Sequence, residues 1–274
     1  MRILPLIVLL VASPLATAAD SHCTHSSPRQ LDLALDGVKR LRIESGQHEV
    51  RLRAAPGSNH RLSGRACASK AGWLQDLTVT QQREGDTLVV RLRRENAGGL
   101  STLVGENYAW IELAGSVPDD RLIQLVVGSG DASLEGAASA SADVGSGDAE
   151  LKHTRGAVTA KVGSGDLDIL GAGALKVLAI GSGDIRAEDI RGKIEVGSIG
   201  SGDLKLSGGT EVTLGSIGSG SAQVRSASGK VTVGSLGSGD VEVDGAAQLE
   251  VGSIGSGDVQ HRNITGSVQL PRKP

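Results

Sequence analysis

The tetrapeptide Gly-Ser-Gly-Asp recurs through the second half of the chain at a nearly fixed interval. Copies begin at Gly128, Gly145, Gly163, Gly181, Gly200, Gly218, Gly237 and Gly255, with spacings of 17, 18, 18, 19, 18, 19 and 18 residues. In the sixth copy Ser221 stands in the aspartate position. A period of this size marks a solenoid or array, in which one supersecondary unit stacks on copies of itself.

Within each copy the residues alternate. The position after the aspartate is apolar throughout (Ala132, Ala149, Leu167, Ile185, Leu204, Ala222, Val241, Val259), and two residues on stand Leu134, Leu151, Ile169, Ala187, Leu206, Val224, Val243 and finally His261. Polar side chains lie between them, as expected of a strand with one buried face. A polar turn leads to a second alternating run, such as Val212/Leu214 or Val231/Val233, and an aliphatic residue precedes every tetrapeptide. Two short strands cannot bury a core alone, but coils stacked at ~4.8 Å can. The fold expected is all-β: a right-handed parallel β-solenoid with coils of ~18 residues, the hand following the usual crossover rule. A left-handed hexapeptide helix would need an aliphatic residue at every sixth position. Counting from Ile199 those positions are Lys205 and Glu211, so that alternative fails.

The repeated glycines are expected to supply positive φ at tight corners. Stacking gathers Asp131, Asp148, Asp166, Asp184, Asp203, Asp240 and Asp258 into one column interrupted by Ser221. Carboxylates ~4.8 Å apart repel by ~0.9 kcal/mol per pair in water, so something must offset them. Local hydrogen bonds of the Asx type can do so, as can Ca²⁺ bound between coils. Calcium-binding solenoids place aspartate within G-G-x-G-x-D loops, two per coil. Here the spacing differs and the series is broken, so a structural column is expected, with calcium the alternative.

The region before the repeats is also β-patterned. In "VKRLRIE", "HEVRLR" and "TLVVRLR", Leu41, Ile43, Val50, Leu52, Val90 and Leu92 should point inward. Arg40, Arg42, Arg51, Arg53, Arg91 and Arg93 should then line the outside, either as an anion-facing surface for acidic glycans or as a solvated face balanced by Glu44 and Glu49. Residues 20–120 carry 13 basic and 13 acidic side chains, which favours the solvated face. This region is expected to cap the N-terminal end of the solenoid. The division expected is 1–19 leader, 20–120 cap, 121–270 solenoid and 271–274 tail.

The leader carries Arg2, an apolar run from Ile3 to Ala12 and an Ala16-Thr17-Ala18 exit, the pattern of a cleaved secretory signal too short to span a bilayer. The mature chain is therefore expected outside the cytoplasm, in the periplasm or at the cell surface. Two cysteines in such a chain, Cys23 and Cys67, point to one disulfide. Cleavage after Ala19 would leave Asp20-Ser21-His22, a Cu(II) or Ni(II) chelate, although a plain polar terminus is the simpler expectation.

A net charge of −3 without a basic run argues against nucleic acid as a partner. His48, His60, His153 and His261 are scattered, the repeats hold no aromatic platform, and no enzyme or cofactor is expected.

The opening "LDGVKRLRIESGQHEVRLR", the entry "ELAGSVPDDRLIQLVVGSGD" and the eight tetrapeptides resemble the bacterial putative-adhesin β-strand-repeat proteins, related to GIN head domains and linked by name to autotransporter adhesins. The resemblance implies a non-enzymatic adhesin-like or structural module of the cell envelope. Its partner would be a surface component, protein or glycan. The alternatives are a calcium-binding solenoid folded on export and a polysaccharide-active β-helix enzyme.

Overall fold

The alternation within each repeat becomes two strands per coil. The chain is seen in a computed structural model that describes residues 23–57, 60–95 and 107–272. The expected leader and the Asp20-Ser21-His22 stretch lie outside the described residues.

Each tetrapeptide ends where a strand begins. These strands are β9 (Asp131–Glu135), β11 (Asp148–Lys152), β13 (Asp166–Ala172), β15 (Asp184–Ile190), β17 (Asp203–Gly208), β19 (Ser221–Arg225), β21 (Asp240–Ala246) and β23 (Asp258–Ile264). Between them run β8 (Leu122–Val127), β10 (Ser139–Val144), β12 (Ala157–Val162), β14 (Ala174–Ile180), β16 (Ile194–Ile199), β18 (Val212–Ile217), β20 (Lys230–Leu236), β22 (Gln248–Ile254) and the short β24 (Val268–Gln269). The odd strands stack in parallel as sheet A and the even strands as sheet B. Pairing aligns equivalent positions, such as Asp131 with Asp148, Asp166 with Asp184 and Asp240 with Asp258.

The core is the seam between the two sheets, filled by Val, Ile, Leu and Ala. Every inward position named from the alternation is buried except the last two, where Val259 is half-buried and His261 exposed. The C-terminal coil thus has only β24 beyond it in sheet B, and Val268 and Leu270 remain exposed.

The region before the repeats continues both sheets rather than forming a separate sandwich. It contributes β1 (His25–Asp32), β2 (Arg40–Gly46), β3 (Glu49–Ala55), β4 (Arg61–Ala68), β5 (Leu77–Glu84), β6 (Thr87–Arg94) and β7 (Ala109–Pro118). Sheet A begins β1-β4-β7-β3-β9, and sheet B runs β8-β2-β6-β5 at this end. The β2–β3 coil therefore lies between the β6–β7 coil and the first repeat. The outer strands β4, β1 and β5 turn antiparallel. A disulfide joins Cys23 to Cys67, with their Cα atoms 5.6 Å apart, and ties the residues just before β1 to β4.

The structure corrects the reason given for the repeated glycines. None of the sixteen tetrapeptide glycines has positive φ. Their role is close approach: a Cβ on Gly165 would stand 1.8 Å from the carbonyl oxygen of Gly147, and one on Gly183 1.8 Å from that of Gly165. Left-handed backbone occurs instead at the far corner, in the last residues of the sheet A strand or just beyond it, at Gly136, His153, Gly171, Asp189, Gly208, Ser226, Gly245 and Asn263.

Candidate functional site

The aspartate column is held by the backbone of the next coil. Asp148 Oδ1 accepts the Asp166 N–H at 3.2 Å, Asp166 Oδ1 the Asp184 N–H at 3.2 Å, and Asp184 Oδ1 the Asp203 N–H at 2.8 Å. Asp203 Oδ1 accepts both the N–H and the hydroxyl of Ser221, at 3.1 and 2.7 Å, but Ser221 does not pass the pattern on, and the Asp240 N–H bonds the Gly220 carbonyl oxygen at 3.3 Å instead. Asp240 Oδ1 accepts the Asp258 N–H at 3.3 Å. The preceding Ser and Gly N–H groups bond to the coil before, for example Ser182 N to Gly163 O at 2.8 Å and Gly183 N to Gly163 O at 3.1 Å. Among the described residues no group of three or more His, Cys, Asp and Glu comes together in a way that could hold a metal.

Asp203→Ala is expected to lower stability by about 1–2 kcal/mol, since two donors lose their acceptor. Asp203→Asn keeps a carbonyl oxygen there and should retain most of that contribution. Chemical denaturation of both variants checks the difference.

The six arginines do not share one face. Arg51 and Arg53 lie on β3 in sheet A, whereas Arg40 and Arg42 on β2 and Arg91 and Arg93 on β6 lie in sheet B. Five have carboxylate partners: Arg40 with Asp86, Arg42 with Glu44 at 3.0 Å, Arg51 with Glu49, Arg53 with Glu135 at 4.0 Å, and Arg91 with Glu44 and Glu84 at 3.0 and 2.7 Å. Arg93 is exposed.

The outer face of sheet A carries three adjoining depressions around Arg51, of about 250, 540 and 340 Å³. The first is acidic, bordered by Glu49, Asp131, Asp148, Glu150 and Asp168. Burial pushes the Asp168 carboxyl up, and neighbouring carboxylates, Glu150 first among them, add to this against the opposing pull of Arg186. The second runs between Arg53, Ser116, Ser133 and Lys152. The third lies over Ser63, Gly64 and Ala114, between Arg65 and Glu112. Glu112 accepts from Arg65 Nε at 3.1 Å and from Trp110 Nε1 at 3.0 Å. Burial alone would raise its carboxyl, but these two bonds and the charges of Arg65 and Arg51 hold it below its ordinary value. Trp110 packs on Tyr108, with ring centroids 4.9 Å apart.

The alternation of "YAWIEL" sets Tyr108, Trp110 and Glu112 on one side of the chain, a signal that the expectations above did not use. What it could not give was their neighbour, because β7 reaches β3 only by leaving the β2–β3 coil and returning beyond it.

His48 takes part in the corner of the β2–β3 coil, where Gly46 O accepts the N–H groups of Gly128, Ser129 and Gly130. It is buried, and its Nδ1 accepts the Ile111 N–H at 3.2 Å. Burial, helped by the charge of Arg94, lowers its pKa to about 4. The unfolded chain therefore binds a proton at higher pH than the folded one, and stability falls as pH drops from about 6.5 towards 4. The expected loss is up to about 3 kcal/mol, and His48→Gln should flatten this part of the pH profile of the melting midpoint.

With the fold and this face described, the class of protein is clear: a two-sheet β-solenoid with an irregular N-terminal end and a pitted outer sheet. Residues 38–266 match the Toastrack DUF4097 family, and the chain belongs to it. The solved structure of a "putative adhesin" from Parabacteroides merdae is similar over 87% of this chain and 97% of its own, at 14% identity and a TM-score of 0.56. A "putative lipid binding protein" from Parabacteroides distasonis is similar over 89% and 97%, at 15% identity and 0.52. A second "putative adhesin", from Parabacteroides distasonis, is similar over 87% and 97%, at 15% identity and 0.51. At these identities the likeness is one of fold. Among curated proteins none matches the chain. Among the described residues no helix is long and apolar enough to cross a membrane.

Proposed function

We propose that the chain is a non-enzymatic binding module of the cell envelope, exported to the periplasm or the cell surface. Its ligand, a surface protein or glycan, docks on the outer face of sheet A where the irregular end meets the first repeats. The observation that carries this reading is the row of depressions around Arg51. A stacked solenoid offers an extended, rigid surface of the kind repeat proteins use for binding. The leader pattern and the Cys23–Cys67 disulfide favour an oxidising compartment, and the similar structures described as adhesins favour binding over turnover. A polysaccharide-active enzyme is the second reading, favoured by the acidic depression and the raised Asp168 carboxyl.

The test is cell fractionation with N-terminal sequencing, followed by incubation of the labelled mature protein with isolated envelopes. The binding reading expects a mature chain beginning near residue 20, retention on envelopes, and polysaccharide of unchanged length. A cytoplasmic chain with its leader intact would overturn export. Shortened polysaccharide would replace binding with catalysis.

A further inference from the structure

We infer that the row of depressions on sheet A is a binding site for an uncharged glycan, with Trp110 as its stacking platform. This rests on the binding-module reading and names the ligand class for it.

The aromatic residues are the first observation. The chain has two tryptophans, one tyrosine and no phenylalanine. The buried core contains none of them; Trp73 packs against its edge, while Tyr108 and Trp110 are not part of it. Trp110 on β7 and Tyr108 just before it are half-exposed, and the pair adjoins the third depression through Glu112 rather than lining it. It is also fixed in place: Tyr108 Oη meets Thr24 Oγ1 at 2.6 Å, and Trp110 Nε1 donates to Glu112. An immobilised ring at the surface is suited to the apolar C–H face of a sugar, since little side-chain freedom is left to lose on binding.

The floor is the second. Beside Glu112 it is made of Ser63, Gly64 and Ala114, and further along of Ser133. Gly64 cannot bear a side chain there, because its Cβ would stand 1.9 Å from the Glu112 carbonyl oxygen. The backbone itself keeps this floor low, so a ligand can lie across the strands from β4 to β13. At ~4.8 Å per strand that is ~24 Å.

Charge is the third. The cations along the row are already paired with carboxylates: Arg65 with Glu112, Arg51 with Glu49, Arg53 with Glu135 at 4.0 Å, and Lys152 with Glu150 at 2.6 Å. Each pair holds donors and acceptors at fixed positions, which suits hydroxyl groups that both donate and accept. Asp131, Asp148 and Asp168 add further negative charge at one end, so an acidic glycan would be repelled. Apart from the Tyr108–Trp110 pair, the row offers no large apolar anchor for a protein partner. The exposed large hydrophobic residues among those described are Leu178, Val268 and Leu270, all elsewhere.

The experiment titrates the full mature protein with cellohexaose, chitohexaose and maltohexaose and screens it on an array of neutral glycans. Polygalacturonate serves as the acidic counterpart, and calorimetry and tryptophan fluorescence are the readouts. The expected result is binding of at least one neutral glycan with a change in fluorescence, and no competition by polygalacturonate. Trp110→Ala and, separately, Ser133→Arg should each weaken that binding at least tenfold. Ser133→Arg fills the trough without touching the aromatic pair, so a misfolded Trp110 variant does not leave the question open. Preference for polygalacturonate, or neutral-glycan binding indifferent to Ser133→Arg, would overturn the inference. So would failure to bind any neutral glycan. If the wild-type protein is still retained on envelopes in that last case, the binding module stands and only its ligand class is wrong. Retention abolished by protease treatment of the envelopes would assign the site to a protein.

Discussion

Gly183→Ala is expected to lower stability by about 3 kcal/mol or more and to abolish cooperative stacking at that coil. The added methyl carbon would stand 1.8 Å from the Gly165 carbonyl oxygen and 2.8 Å from the Ser164 carbonyl carbon. Both obstacles are backbone, so no side chain can swing aside. The coils would have to part where Gly183 N–H now bonds Gly163 O at 3.1 Å and Asp184 N–H bonds Asp166 Oδ1 at 3.2 Å. In a solenoid each coil is stabilised by its neighbours, so a break in the middle also weakens the coils on both sides. Gly72→Ala is the matched control. No atom lies within 4 Å of its Cβ position and its φ is not positive, so it should change stability by less than about 0.5 kcal/mol. Urea denaturation of the two variants side by side measures the contrast. Equal stabilities would show that the glycine column is not there for close approach.

Removing the Cys23–Cys67 disulfide is the second large effect. The bridge spans 44 residues and closes a loop containing β1 through most of β4. In the chain-entropy account, opening a loop of that size costs about 4 kcal/mol. The local structure adds a reason to expect a real loss. β1 is the outermost strand of sheet A and pairs only with β4, and its burial alternates between half-buried and exposed, so it holds little core of its own. Cys67 by contrast is fully buried in β4. Reduction, or the Cys23→Ser variant, should therefore lower the melting midpoint markedly and release β1 first. Proteolysis near residues 25–32 should accelerate. The repeat coils should keep their protection, because their pairing does not involve β1. An unchanged midpoint after complete reduction would contradict this account.

The repeats were legible because their information is local. A two-residue alternation fixes which side chain is buried, and an 18-residue recurrence fixes what lies above it; Asp166 over Asp148 follows from counting alone. The Cys23–Cys67 pairing was legible for a simpler reason, since two cysteines allow one intramolecular bridge. The glycines show where local information ends. A corner that needs positive φ and one that needs bare backbone are written with the same residue, and only the 1.8 Å approach between coils separates them. The true left-handed corner hid in plain view because its residues vary: His153, Asp189, Ser226 and Asn263 share it with glycines.

The candidate site was less legible still. Its outward residues could be read strand by strand, but β7 and β3 are neighbours only because the chain doubles back through β4, β5 and β6 before starting the repeats. The same excursion sends Arg91 and Arg93 to sheet B with Arg40 and Arg42, away from Arg51 and Arg53. One expected arginine face thus becomes two.

The central claim is that the repeated aspartates hold the coils together through the protein's own N–H groups. The most direct test is a thermal melt of the protein by circular dichroism, in Ca²⁺ and in EDTA at equal ionic strength. A cation that binds only the folded chain must raise the midpoint by mass action. The hydrogen-bonded column predicts the same midpoint in both. A midpoint several degrees higher in Ca²⁺, lost on chelation and absent from an Asp203→Asn, Asp184→Asn double variant, would contradict it and make the column a metal ladder.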